Sequence, residues 1–476
     1  MALAYAPTSR TAIRAGFAIM YAHGNGTSGR GGGRNGTGQL GYNANPSFPS
    51  ALGNGAPAFF WSGGNALPAV YSNVYQGGLP AYQKAPFFDP TLNTGFYTGG
   101  PSGGSITYGD PDIGGRPPAY NNYTLSIQQA LTQNLTLTLA YSGSQGHYLP
   151  SGVGRIDFAN QIDPRYLALG NDLNLPVTVA ANITRYNADA ARAGLPAYKA
   201  PYANYNNTFG RALTRFPQYS GVTDIWGGVG NSNYNGLHAI LNQRLSNGLT
   251  FNFAYVWSKE IDDITAARTV YDIRQERAVG AIDRPHVITA SAVYQLPFGK
   301  GKLYGGNHAV SSIFGGFELS TLFLLQSGAP LNFTGTCNTP FTGGLCVPNL
   351  NPNFVGSPVL NGGAGSGNGN AVKGHNAVYL NSNAFSNPAA FTFGNAPRNA
   401  PYGLRNPYTW NEDVTIRRTF SIWENLKLQA AVSAFNVYNT VNFGGVQTNI
   451  NSAAFGTVTS QANQPRKLQG EARISF

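Results

Sequence analysis

Side chains at the C-terminal end of this chain alternate in character residue by residue. Leu468, Gly470, Ala472, Ile474 and Phe476 fall on one face of an extended strand, and Lys467, Gln469, Glu471, Arg473 and Ser475 fall on the other. Successive side chains of a strand point to opposite sides. A terminal strand with an apolar face, a charged face and a closing aromatic suits a β-barrel set in a membrane, where one face meets lipid and the other an aqueous lumen. One alternating strand also fits the edge of a soluble sheet, so the rest of the sequence has to decide.

Composition favours the membrane. Charged residues are only 10% of the 476, against roughly a quarter in soluble domains, while aromatics reach 12%. With 61 Gly and 30 Pro, this balance suits strands in lipid joined by long polar loops. It suits a soluble helical enzyme poorly, and disordered chains are poor in aromatics and rich in charge. The net charge of +11 is spread along the chain without a dense Lys/Arg block. It reads as solvated surface, and no nucleic-acid partner is expected. No run of about eighteen apolar residues exists, so no transmembrane helix is expected. Arg10 and Arg14 before Ala15–Ala22 look superficially like a signal peptide. Ile13, Ala15, Phe17, Ile19 and Tyr21 alternate as a strand instead.

Hairpins are the organising unit. Tyr123, Leu125, Ile127 and Leu131 alternate with polar partners, turn at Thr132, Gln133 and Asn134, and return through Leu135, Leu137, Leu139 and Tyr141. Leu237, Ala239, Leu241 and Leu245 lead into Ser246-Asn247-Gly248, a strong tight-turn signal. Leu249, Phe251, Phe253, Tyr255 and Trp257 return. Further strands follow at Ile288–Leu296, at Phe317–Leu325 (where Leu322 and Leu324 blur the alternation), at Val414–Phe420 and at Leu426–Val432. Roughly ten to fourteen strands are expected. Tyr255, Trp257, Tyr294 and Phe476 are expected at the membrane interfaces, where barrels carry aromatic girdles.

Short turns alternate with long Gly/Asn/Pro-rich segments near Ala22–Ala119, Gln145–Phe216 and Thr336–Arg405. Long loops without their own structure argue against a compact soluble domain. They are normal on the outer face of an outer-membrane barrel. The fold class expected is all-β: a transmembrane antiparallel β-barrel, closed or incomplete, with long extracellular loops.

Signals for chemistry are weak. Gly36-Thr37-Gly38-Gln39-Leu40-Gly41 satisfies a dinucleotide pattern, but no strand precedes it and no helix follows, so it reads as a loop. Arg30 and Arg34 among glycines are too few for an RNA-binding segment. Six histidines, at 23, 147, 238, 286, 308 and 375, show no metal-ligand spacing. Glu260, Asp262 and Asp263 form an acidic cluster that reads as a solvated strand end. No catalytic pair stands out; neither an enzyme nor a cofactor is expected. Cys337 and Cys346 share one outer loop, where an exported chain is expected to bridge them rather than leave two free thiols.

Several segments together resemble a known family. Tyr234-Asn235-Gly236-Leu237, Gln243–Leu249, Tyr255-Val256-Trp257-Ser258-Lys259 with Ile261-Asp262-Asp263, and Asp283-Arg284-Pro285-His286 resemble the Oar-like barrel of TonB-dependent receptors. So do Leu296–Gly301, Gln326–Pro330, Pro397-Arg398-Asn399 and Ala434–Asn439. The resemblance implies the C-terminal part of a bacterial outer-membrane receptor, whose barrel would hold about twenty-two strands around a plug. Residues 1–476 are accordingly expected to be a single barrel domain without plug or signal peptide. TonB would be reached only through a missing N-terminal region, and the barrel-assembly machinery through the C-terminal strand, although Gly470 lies one residue off the usual signal register. The ligand would be a sugar, a peptide or a metal chelate. Alternatives are a passive porin and a surface adhesion barrel acting through its loops, above all Gly24–Pro118.

Overall fold

A computed structural model of the chain describes residues 1–21, 105–108, 117–150, 160–217, 221–224, 228–264, 266–299, 302–304, 311, 313–360, 379–423, 426–458 and 460–476. The glycine-rich pattern at 36–41, Arg30, Arg34, three of the histidines (23, 308, 375) and nearly all of Gly24–Pro118 lie outside the described residues.

Among the described residues twelve strands form one sheet. The first six are β1 (Ala2–Thr8), β2 (Thr11–Tyr21), β3 (Ala119–Ala130), β4 (Leu135–Pro150), β5 (Gly228–Ser246) and β6 (Leu249–Asp262). The rest are β7 (Ala278–Val279), β8 (His286–Gln295), β9 (Phe317–Gln326), β10 (Thr409–Ser421), β11 (Lys427–Phe435) and β12 (Lys467–Ser475). Each pairs antiparallel with the next in sequence, except that the two-residue β7 hangs on β6 and β8 takes its place in the path. Every expected strand is present. β1 was not foreseen: Pro7 and a length of seven residues leave little alternation to read. Asn247 and Gly248 turn the β5–β6 hairpin with φ 52° and 80°, the left-handed pair that a two-residue turn between right-twisted strands requires.

Register sorts the side chains into two faces. Leu137, Leu241, Phe253, Ala290 and Phe323 lie opposite one another in a single row on one face. One residue along, Thr136, Asn242, Asn252 and Ser291 form the corresponding row on the other. Leu322 and Leu324 share that polar face, yet β9 pairs without a register shift over nine residues with β8 and over ten with β10. The blurred alternation there is chemical, with no break in the backbone. On the apolar face Tyr123 lies over Gly143, where a Cβ would come within 2.1 Å of its ring.

The buried core lies in the connections. Apart from Leu149 and Ala278, the buried apolar residues among those described fall outside the twelve strands. One cluster gathers Ile162, Leu173, Tyr186, Ala190 and Phe209 around the helix α1 (Ala180–Arg192). A second gathers Leu331, Phe333, Leu380 and Phe385 from the connection between β9 and β10 and Val446 and Phe455 from that between β11 and β12. This corrects the expectation of long loops without structure at Gln145–Phe216 and Thr336–Arg405. β4 runs on to Pro150, and the described parts of both segments pack cores of their own. An apolar sheet face set in lipid has no need of a protein core; loops standing in water do. No helix among the described residues is long and apolar enough to cross a membrane.

Candidate functional site

In an antiparallel meander every second connection emerges at the same end of the sheet, and at the end of the longest loops lie three ion pairs, two buried and one half-buried. Asp262, last residue of β6, takes the guanidinium of Arg398, whose Nη2 also donates to the Asp262 carbonyl at 2.9 Å. Arg268 donates Nε to Glu276 Oε1 at 2.9 Å, with side chains 5% and 0% exposed. Arg405 Nη2 meets Asp283 Oδ2 at 2.5 Å, and Asp283 Oδ1 accepts the Glu260 N–H at 2.7 Å. Arg398 Nε also donates to the Glu276 carbonyl at 3.3 Å, joining two of the pairs. Asp263 accepts the backbone N–H of Asn231.

Asp262 and Asp263 are therefore buried, and the solvated strand end read from the sequence is wrong. The reason is long-range: the cation that neutralises Asp262 stands 136 residues away. The available signal was the resemblance itself, since Asp262, Asp283 and Arg398 all lie in its motif segments.

The loop layer above is fastened by Cys337 and Cys346, which are joined as a disulfide with their Cα atoms 5.6 Å apart. Between them Phe341 packs against the helix-centred cluster; its carbonyl accepts the Ile162 N–H at 2.9 Å, and Arg211 lies 5.3 Å from its ring centre. In the same layer burial, then hydrogen bonding to Asp189, pushes the Asp172 carboxyl above the ordinary carboxylate range; Arg185, at 2.7 Å, opposes this. Burial pushes Tyr186 and Tyr379 up to about 12.

Below the loops the polar face carries amides and hydroxyls. A groove of about 460 Å³ is lined there by Gln128, Thr136, Asn242, Thr250, Asn252 and Ser291. Arg14 donates to Gln128 Oε1 at 3.0 Å, and Arg417 pairs with Glu318 at 3.1 Å. Such a surface exchanges hydrogen bonds with uncharged polar solutes and selects weakly by charge. Among the described residues no three His, Cys, Asp or Glu gather as a metal site.

The expected interface aromatics lie on the apolar side at the two ends. Trp257, 57% exposed, stands opposite Leu237 and His286 near the long-loop end. The neighbouring Tyr255 stacks on His286, its hydroxyl 2.8 Å from Nδ1. Tyr294 lies opposite Leu249 and Leu319 near the short turns. Phe476 follows β12 at that same end and is fully exposed.

A meandering antiparallel sheet with one lipid-compatible face, one polar face, short turns at one end and a folded loop layer at the other defines an outer-membrane β-barrel. The chain belongs to the outer membrane beta barrel domain family, whose model matches residues 1–469. The fold class and the outer-membrane location read from the sequence agree with this match, and the family is one of membrane barrels rather than of enzymes. No curated protein matches the chain. Among solved structures it is similar to the ferric enterobactin receptor of Pseudomonas aeruginosa, in a mutant complexed with enterobactin, at 11% identity and a TM-score of 0.39, covering 100% of this chain and 40% of that one. It is also similar to the ferric-catecholate import receptor Fiu of Escherichia coli (8%, TM-score 0.36, 100% and 34% covered). A third is the Pseudomonas aeruginosa ferripyoverdine receptor bound to ferripyoverdine (12%, TM-score 0.34, 76% and 28%). The chain spans about a third of the length of such receptors.

Proposed function

We propose that this chain is the barrel of an Oar-like receptor that captures a ligand at its long loops and admits it along the polar face, with energy delivered through TonB to the whole receptor. Residues 1–476 act in this reading as one barrel domain. The observation that carries it is the pairing of two features on one sheet. The polar face holds an amide- and hydroxyl-lined groove near the short turns, and at the opposite end stands a loop layer that is itself folded, disulfide-bridged and anchored to the strand ends by buried and half-buried ion pairs. A porin needs only a lumen, whereas a receptor needs an ordered surface on which to recognise something. Neutral polar side chains along the passage suit sugars, peptides or metal chelates, which offer many hydrogen-bonding groups.

The test is uptake by cells expressing the gene in its native reading frame. Labelled oligosaccharides, peptides and ferric chelates are offered with and without a protonophore. Saturable uptake of one class, abolished when the proton gradient collapses, is the expected result. Uptake indifferent to the protonophore, with steady conductance in planar bilayers, would replace the receptor with a passive porin.

A further inference from the structure

On its lipid-facing side, just below the long loops, the sheet carries an open slot of about 590 Å³. Tyr141, Leu237, Trp257 and Pro285 supply apolar walls, and Lys259 and Arg405 stand among its lining residues. The register puts Tyr141, Leu237 and Trp257 side by side in one row of the apolar face, with Lys259 two residues beyond Trp257 on the same face. Trp257, Leu237 and Lys259 are all exposed.

The charges here do not balance. Arg405 is committed to Asp283. Lys259 and Arg284 have no carboxylate within 4 Å among the described residues, and Arg284 donates only to the Asp283 carbonyl, at 3.1 Å. Burial, and after it the nearby Arg405 charge, lowers the Arg284 pKa, and Asp283 offsets this only in part. Lys259 in the lining and Arg284, which stands between the lining residues Asp283 and Pro285, put two cations without a paired carboxylate at an apolar slot, the complement of an anionic amphiphile.

We infer that this slot binds a phosphorylated, multiply acylated lipid of the outer leaflet, Lys259 and Arg284 holding a headgroup phosphate and Tyr141, Leu237 and Trp257 taking an acyl chain. The long-loop end is the outer-leaflet end of such a barrel. Aromatic rings and basic side chains meet lipid headgroups at that depth, the lysine stem lying on apolar surface while its ammonium reaches the phosphate. A free phosphate would satisfy the two cations but leave the three apolar side chains without a role. The inference rests on the outer-membrane orientation and not on transport. Uptake and lipid retention are measured separately, so either can fail while the other stands.

The test is native mass spectrometry of protein extracted in mild detergent from outer membranes, counting retained phosphorylated lipid. Wild type should keep bound lipid through extraction. The double variant Lys259→Gln/Arg284→Gln should keep about tenfold less. Lys427→Gln, a cation at the opposite end of the sheet and on its polar face, should keep as much as wild type. Leu237→Asn, which leaves both charges in place, should also lower retention, so that a folding defect of the double variant cannot decide the matter alone. Excess inorganic phosphate should not displace the lipid. Equal retention by the double variant, or full displacement by inorganic phosphate, would overturn the proposal.

Discussion

At the scale of single residues the sharpest dependence is on Arg398. Its guanidinium is 3% exposed and is the counter-charge to Asp262, itself 5% exposed, so neither can be rehydrated in place. A buried pair adds little net stability over an apolar replacement, but removing one partner leaves a desolvated charge behind, at about 3–5 kcal/mol. Arg398→Gln should therefore loosen the loop layer far more than the equally cation-removing Arg192→Gln, whose partner Asp189 stands at the exposed end of α1. Limited proteolysis of the folded protein checks this: Arg398→Gln should be cut rapidly in the loops while its strand signal in circular dichroism persists. Cleavage no faster than in Arg192→Gln would mean that the ion pair is not what holds the layer. Nothing in the immediate sequence around Asp262 marks it as buried, because its neighbours Glu260 and Asp263 add negative charge, and local reading predicts hydration for three carboxylates in four residues.

At the scale of elements the strands were legible and the loops were not, for one physical reason. A strand in a two-faced sheet has its chemistry dictated residue by residue, so β6 declares itself through Phe251, Phe253, Tyr255 and Trp257. The upper parts of β4 and β5 did not, because Ser142–Gly146 and Gly230–Gly236 rise toward the loops, where neither face needs to be apolar. The loop cores escaped altogether: Phe333, Phe385 and Phe455 meet from positions far apart in the sequence, and no local period records such a meeting. The disulfide between Cys337 and Cys346 links these scales, since the loop it closes presents Phe341 to the helix-centred cluster. Bridging a short loop constrains the unfolded ensemble by roughly 2–3 kcal/mol. Replacing both cysteines with alanine should then speed hydrogen exchange at the Ile162 amide, which donates to the Phe341 carbonyl, while strand amides such as Phe253 stay protected. Unchanged exchange at Ile162 would show that packing alone seats Phe341.

At the scale of the whole molecule the count of strands constrains how the sheet can meet itself. Among the described residues eleven strands lie on the path from β1 to β12, and each runs opposite to its neighbour. With an odd number, β1 and β12 point the same way, so direct contact between them would be a parallel seam. Bacterial single-chain barrels keep even strand numbers and antiparallel pairing throughout. Both edges are exposed along their whole length, and an unpaired backbone group facing lipid costs several kcal/mol. Each edge in the membrane therefore requires a partner running opposite to it, and the two edges cannot serve each other in that way. Cysteine cross-linking in intact outer membranes tests this. Leu3→Cys with Ala15→Cys and Ala430→Cys with Ala472→Cys join positions that face each other across antiparallel pairs, so both should cross-link efficiently. Leu3→Cys with Ala472→Cys should not. A strong cross-link between those two edge strands would establish a parallel closure of this sheet upon itself, and the antiparallel rule would fail for this barrel.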